Sequence, residues 1–307
     1  MLALNLRYLV FSENNLIFMK KFICLILLAL ACMSCANENG NDKVELSTLR
    51  ISILPDESQE KLLQRYTPLF EYLSREIGIP YQLIIPKDYD ELLVLFHDKK
   101  IDLAYFGGFT FMKAYQADHA EPLVMRDVDT KFTSYFLVRS DDPRHVIKDF
   151  AGRPFAFGSK LSTSGHLMPR YYLKEMGIMP ESFFSEVLYS GKHDLTANWV
   201  RDGKIDLGVA NHAVIDLMYR DGRLSPKDVR ILSETPPYPD YVWALRPLGN
   251  TTFSIKLRDA FMSLSKLDPE QAKILDGVDA GSFLPAGIND FSKLGNVMAE
   301  LNMSGRK

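Results

Sequence analysis

Ser162, Thr163 and Ser164 put three hydroxyl side chains in a row, followed by Gly165 and His166. They lie between an apolar run, Phe155 to Phe157, that breaks at Gly158, and a helical pattern carried by Leu167, Tyr171 and Leu173. A strand, a glycine–serine turn and a helix start form the layout of an anion site. The first turn of a helix has backbone N–H groups without partners and a partial positive charge, so a phosphate-like oxyanion docks there without a metal. Ordinary N-capping accounts for one hydroxyl; three suit a tetrahedral ligand with several oxygens. His193 follows Ser190-Gly191-Lys192 at a second predicted helix start and repeats the design. Its imidazole, neutral or protonated, could donate to an anion, and affinity is expected to weaken as pH rises.

The same residues invite a hydrolytic reading, with Ser164, His193 and Asp194 as a triad. The spacing argues against it. The orienting carboxylate must reach the far nitrogen of the imidazole, and the next residue on a helix points about 100° away. There is no nucleophile-elbow motif. The six histidines are scattered without metal-ligand spacing. We therefore expect no catalytic residue, no metal and no cofactor.

The elements that must position these groups alternate. Leu49 to Leu54 reads as a strand stopped by Pro55, and Gln59 to Ile77 as a helix closed by Gly78, with Pro68 marking a kink or break. Tyr81 to Ile85, Ile101 to Phe106, Leu123 to Met125 and Thr133 to Arg139 read as further strands. A second strand–helix series begins at Pro154, and Tyr241 to Leu245 returns as a strand before a mostly helical C-terminal stretch. Pro169 falls inside the helix that Ser162 would cap, so either its first turn is set off or the helix is kinked. Lys100-Ile101-Asp102-Leu103 and Lys204-Ile205-Asp206-Leu207 are the same unit and suggest two similarly built lobes. The pattern implies an α/β chain with mainly parallel sheets, in which ligands sit beyond the carboxyl ends of strands. The expected organisation is residues 49–138 and 243–307 as a discontinuous first lobe and 139–242 as a second lobe carrying the oxyanion site. The hinge would be the strands Tyr135 to Arg139 and Tyr241 to Leu245.

With 307 residues and a formal net charge of -3, the chain has no basic block suited to nucleic acid outside its N-terminus. Met19-Lys20-Lys21 and the apolar run from Phe22 to Ala31 have the form of an export signal, which suggests translation from Met19. Residues 1–35 read as a signal peptide with a lipoprotein-type cleavage site at Cys35, Cys32 being the alternative, and 36–48 as a flexible tether. All three cysteines, Cys24, Cys32 and Cys35, lie in this leader. The rest must be held by its core rather than by disulfides.

Several stretches together resemble a known family. Phe157-Gly158, Ser162-Thr163-Ser164-Gly165, Pro169 and Tyr171-Tyr172 are similar to the signature of phosphonate/phosphate-type solute-binding proteins of ABC transporters. Pro86-Lys87-Asp88-Tyr89, Tyr105-Phe106-Gly107-Gly108 and Ser190-Gly191-Lys192-His193-Asp194 agree in order and spacing. The resemblance runs from about Leu49 to the last helices. It implies the type II periplasmic-binding-protein fold, two α/β lobes joined by a two-strand hinge. It also implies binding without turnover, a membrane permease as partner, a lipid anchor, a monomeric state and a place outside the cytoplasm. A ligand-sensing receptor on the same scaffold is the alternative. Carried over, Ser162, Thr163, Ser164 and Gly165 hold the anion's oxygens, with His193 beside them and Tyr89 facing from the other lobe. A family tyrosine matches Phe132, which becomes apolar wall. The acidic residue that receives an aminoalkyl group matches Ala213, and a second acidic position falls on Pro239 with Asp240 adjacent. A phosphate, phosphite or small alkylphosphonate is thus expected rather than an aminoalkylphosphonate.

Overall fold

The computed structural model describes residues 46–305. The signal segment with Met19, Cys24, Cys32 and Cys35, and the tether as far as residue 45, lie outside the described residues. The chain forms β1 (Leu49–Ile53), β2 (Tyr81–Ile84), β3 (Leu103–Phe106) and β4 (Glu121–Arg126). It then forms β5 (Ser134–Arg139), β6 (Pro154–Phe157), β7 (Glu186–Tyr189), β8 (Leu207–Asn211) and β9 (Val229–Glu234) before returning with β10 (Val242–Leu245) and β11 (Phe283–Pro285). Two sheets result, in the orders β11-β4-β10-β3-β1-β2 and β7-β6-β8-β5-β9. In each, a parallel trio is extended by antiparallel strands: β2-β1-β3 meets β10, and β7-β6-β8 meets β5.

Local chemistry explains the elements that frame the site. Leu49, Ile51 and Ile53 of β1 are fully buried. The helix Gln59–Ile77 starts at Ser58, whose side chain accepts the Lys61 N–H, and ends at Gly78, whose φ of 78° suits glycine. Pro68 lies within that helix and does not divide it. Its inner face, including Tyr66 and Phe70, packs on Trp243, which stacks on Tyr105 at 4.7 Å. The repeated Lys-Ile-Asp-Leu unit has one role in both lobes. Asp102 pairs with Arg50 and Arg246, and Asp206 pairs with Arg144 and Arg153.

The crossings differ from expectation. Ser134–Arg139 pairs with β8 and β9, so this strand is consumed within the second sheet. Val242–Leu245 is likewise held between β3 and β4 of the first sheet. The connections therefore fall earlier in each case, at 127–133 and 235–241. They pair with each other: Phe132 and Tyr238 exchange backbone bonds of 2.8 and 2.9 Å, and the Asp240 N–H reaches the Asp129 carbonyl at 3.0 Å. Residues 134–138 thus belong with the second sheet rather than the first.

Candidate functional site

The hydroxyl run sits where β6 ends. Gly158 donates to the carbonyl of Gly165 at 2.8 Å, which folds the segment back on itself. Thr163–Leu167 is wound as a π turn and Met168–Glu175 continues as an α-helix. The break resolves the position of Pro169. The proline occupies the first turn of the α-helix, where its missing N–H costs little, and the π turn is set off ahead of it. The Ser162 hydroxyl caps this turn by accepting the Gly165 N–H at 2.9 Å. Gly165 is required by close approach. A Cβ there would lie 2.9 Å from His193 Cε1, 3.0 Å from Ser162 Oγ and 3.1 Å from Gly158 Cα.

His193 opens the helix His193–Arg201 after the turn at Gly191, and is fully buried. Its Nδ1 accepts the Asn211 N–H at 3.2 Å, so the proton belongs on Nε2, which lies 3.5 Å from Ser162 Oγ. Burial lowers its pKa to about 4. The ring is therefore a neutral donor throughout the physiological range, which corrects the expectation that its titration weakens binding as pH rises. The hydrolytic arrangement is also missing: Nδ1 faces a backbone amide rather than a carboxylate, and Nε2 faces Ser162 rather than Ser164.

The other lobe closes over these groups. Asp88 caps the helix Tyr89–His97 by accepting the Glu91 N–H at 2.8 Å, which places Tyr89 on the first turn with its ring buried. Burial, with the charge of Asp56 next, holds the Tyr89 hydroxyl well above the usual tyrosine pKa. The helix Gly108–Asp118 has no side-chain cap of its own. Its first two N–H groups are taken from outside: Gly108 donates to Asp240 Oδ1 at 2.8 Å, and Phe109 donates across the lobes to Thr163 Oγ1 at 2.9 Å. Asp240 is buried, and desolvation raises its pKa to about 7 against the pull of Thr163 and the Gly108 amide. Among the described residues, the buried side-chain atoms without a hydrogen-bond partner include Tyr89 OH, Ser164 Oγ and Asp240 Oδ2. Three separate segments thus each carry a buried polar atom without a partner. Buried polar groups are normally paired; here an acceptor and two hydroxyls are left with bonding capacity unused by the protein.

Phe132 is fully buried on the crossing, its ring 4.4 Å from that of His212 and 5.4 Å from that of Tyr241. Ala213 lies beside it in sequence space only through His212. Ala213 lines a cavity of about 320 Å³ with Lys61, Arg65, Arg220 and Asp221, and a small one of about 10 Å³ with Asp56, Tyr105, Arg126, Asn211 and Tyr241. Asp56, Asn211 and Tyr241 were not singled out from the sequence. Asn211 Nδ2 donates to the Tyr241 hydroxyl at 2.9 Å, and that hydroxyl donates to Asp56 Oδ2 at 2.5 Å. The signal that finds them is topological. Asp56 follows β1, Gly107 follows β3, Gly158 follows β6, and Asn211 ends β8, all at carboxyl ends of parallel strands.

Comparison with known proteins agrees with this geometry. The family described as "ABC transporter, phosphonate, periplasmic substrate-binding protein" matches residues 51–291. A probable ABC transporter phosphite binding protein, PhnD1 of Prochlorococcus marinus, is 27% identical over 266 residues, covering 83% of this chain and 90% of that protein. The phosphonates-binding periplasmic protein of Escherichia coli is 25% identical, covering 74% and 69%. The phosphate-import protein PhnD of Mycolicibacterium smegmatis is 28% identical, covering 67% and 69%. The solved structure of P. marinus PhnD1 in complex with methylphosphonate superposes with a TM-score of 0.79 at 26% identity, covering 84% of this chain and 99% of that one. Two sheets with these topologies, a family match across nearly the whole described chain and that superposition agree: the chain has the type II periplasmic-binding-protein fold and belongs to the periplasmic phosphonate-binding family of ABC-transporter substrate-binding proteins.

Proposed function

We propose that this protein captures a small phosphorus oxyanion between its lobes and delivers it to a membrane permease. The observation that carries the reading is that Tyr89 OH, Ser164 Oγ and Asp240 Oδ2 are buried without partners, in segments that the bonds of Thr163 and Asp240 to the start of the helix Gly108–Asp118 tie together. The oxyanion accepts from the hydroxyls of Ser162, Thr163 and Ser164 beside Gly165, whose missing side chain leaves the turn open, with His193 Nε2 donating from the same lobe and Tyr89 from the other. Asp240 meets a ligand oxygen that carries a proton. Phe132 supplies apolar wall. The protein binds without turnover and works as a monomer. It is held outside the cytoplasm by a lipid on Cys35, after export directed by residues 1–35; lipid labelling that survived Cys35→Ser would overturn the choice of that cysteine.

The relatives are named for phosphite, phosphonates and phosphate, and Ala213, where the family resemblance expects a carboxylate, offers no partner to an aminoalkyl group. Calorimetric titration should show tight binding of phosphate, phosphite or methylphosphonate, and binding of aminoethylphosphonate at least about tenfold weaker, the loss of roughly one hydrogen bond's worth of affinity. No binding to any of the four would refute an oxyanion receptor. Tightest binding to aminoethylphosphonate would refute the reading of Ala213.

A further inference from the structure

Asp56 and Glu57 leave the end of β1 in the first lobe, yet their bonds run largely to the second. The Asp56 carbonyl accepts the His193 N–H at 3.2 Å, and the Glu57 carbonyl accepts from Lys192 Nζ at 3.3 Å. The first N–H of a helix has no partner within the helix, so His193 spends its own across the cleft. The Glu57 carboxylate is fully buried. It takes Arg65 of its own lobe at 2.7 Å on Oε1, and faces Arg223 of the second lobe at 3.4 Å on Oε2. Arg223 is aimed by Asp221, 2.7 Å away, which also meets Lys61 of the first lobe at 3.5 Å.

We propose that the Asp56–Glu57 segment is an interlobe clasp, in which Glu57 is a positioning residue that holds the lobes closed by sharing its carboxylate between one arginine from each. The inference rests on the reading that the lobes open and close around a ligand. On opening, Glu57 keeps Arg65 and loses Arg223, and the His193 amide loses its acceptor. These contacts exist only in the closed arrangement, so they slow opening and leave encounter untouched. A group that contacts one of two states shifts the balance toward that state by its differential interaction. Buried pairs are also screened less by salt than exposed ones.

The test has two arms on the intact protein with Glu57→Gln, Arg223→Ala and Arg223→Lys. Without ligand, hydrogen exchange at the His193 amide should quicken about tenfold in Glu57→Gln and Arg223→Ala, while the core helices exchange as in the parent and Arg223→Lys recovers part of the protection. With methylphosphonate, phosphite or phosphate, the dissociation rate should rise about five- to twentyfold in the same two variants, with the association rate unchanged within about twofold, since interface changes act mainly on dissociation. Parent-like exchange and dissociation would overturn the clasp. A slower association at constant dissociation would also overturn it, by assigning these charges to steering. If the parent bound none of the oxyanions, the ligand reading would fail while the exchange arm still decided the clasp.

Discussion

Ser164→Ala should weaken oxyanion binding about ten- to a hundredfold while leaving the unliganded protein as stable as the parent. The asymmetry follows from the hydrogen bonds. Ser164 Oγ is buried and completes no hydrogen bond of good geometry within the protein, its one polar neighbour being the Asp240 carboxyl, so its loss costs the fold little. A hydrogen bond to a charged ligand contributes roughly 1.5–3 kcal/mol. Its neighbours have structural work as well. Ser162 Oγ caps the π turn, and Thr163 Oγ1 accepts the Phe109 N–H across the lobes. Replacing all three with alanine should therefore lose at least about a thousandfold in affinity, beyond routine detection. It should also lower the melting temperature by an amount that Ser164→Ala does not. Calorimetry with methylphosphonate and phosphate, paired with thermal unfolding, separates the two effects. Unchanged affinity in the triple variant would place the site elsewhere. A stability loss in Ser164→Ala matching that of the triple variant would mean that the open hydroxyl serves the fold.

The hydroxyl-bearing turn at Ser162–Ser164 is legible in the sequence because its chemistry is local. A strand end, a glycine and three hydroxyls fall within a dozen residues, and the capping pattern holds in the structure at Ser162. Helix Gln59–Ile77 was legible for the same reason, from periodicity and a glycine stop. What stayed hidden depends on partners distant in the chain. Asp56 acquires its meaning from Tyr241 and His193, over a hundred positions away. Asp240 is legible as the acidic neighbour of Pro239, but its bond to the Gly108 N–H, which joins it to the helix Gly108–Asp118, is not. Ser134–Arg139 reads as a strand, but alternation alone does not say which sheet takes it up; pairing with β8 and β9 does. The neutral tautomer of His193 is fixed by the Asn211 amide, a contact set by tertiary packing.

Asp240 predicts how affinity responds to pH. Its burial lifts the carboxyl to about 7 in the closed cleft, far above the ordinary aspartate value. Oδ1 is committed to the Gly108 N–H, and Oδ2 is open toward the site. A carboxylate and an oxyanion oxygen at hydrogen-bond range cannot both be ionised at low cost, so the pair shares one proton. Below about pH 7 that proton is carried by Asp240, which then donates to a dianion; a monoprotonated ligand instead donates to the carboxylate. Above about pH 8 neither partner holds it, and binding must take up a proton from solvent. By linkage, the dissociation constant should then rise about tenfold per pH unit. His193, already neutral, adds no slope between pH 5 and 9. In Asp240→Asn the amide donates at every pH, so the slope above pH 8 should vanish and binding of the dianion at pH 9 should exceed that of the parent by about tenfold or more. Titrations from pH 6 to 9 with methylphosphonate decide it. A flat parent profile, or a slope that persists in Asp240→Asn, would mean that Oδ2 does not meet the ligand, and that Asp240 serves only to close the first turn of the helix at Gly108.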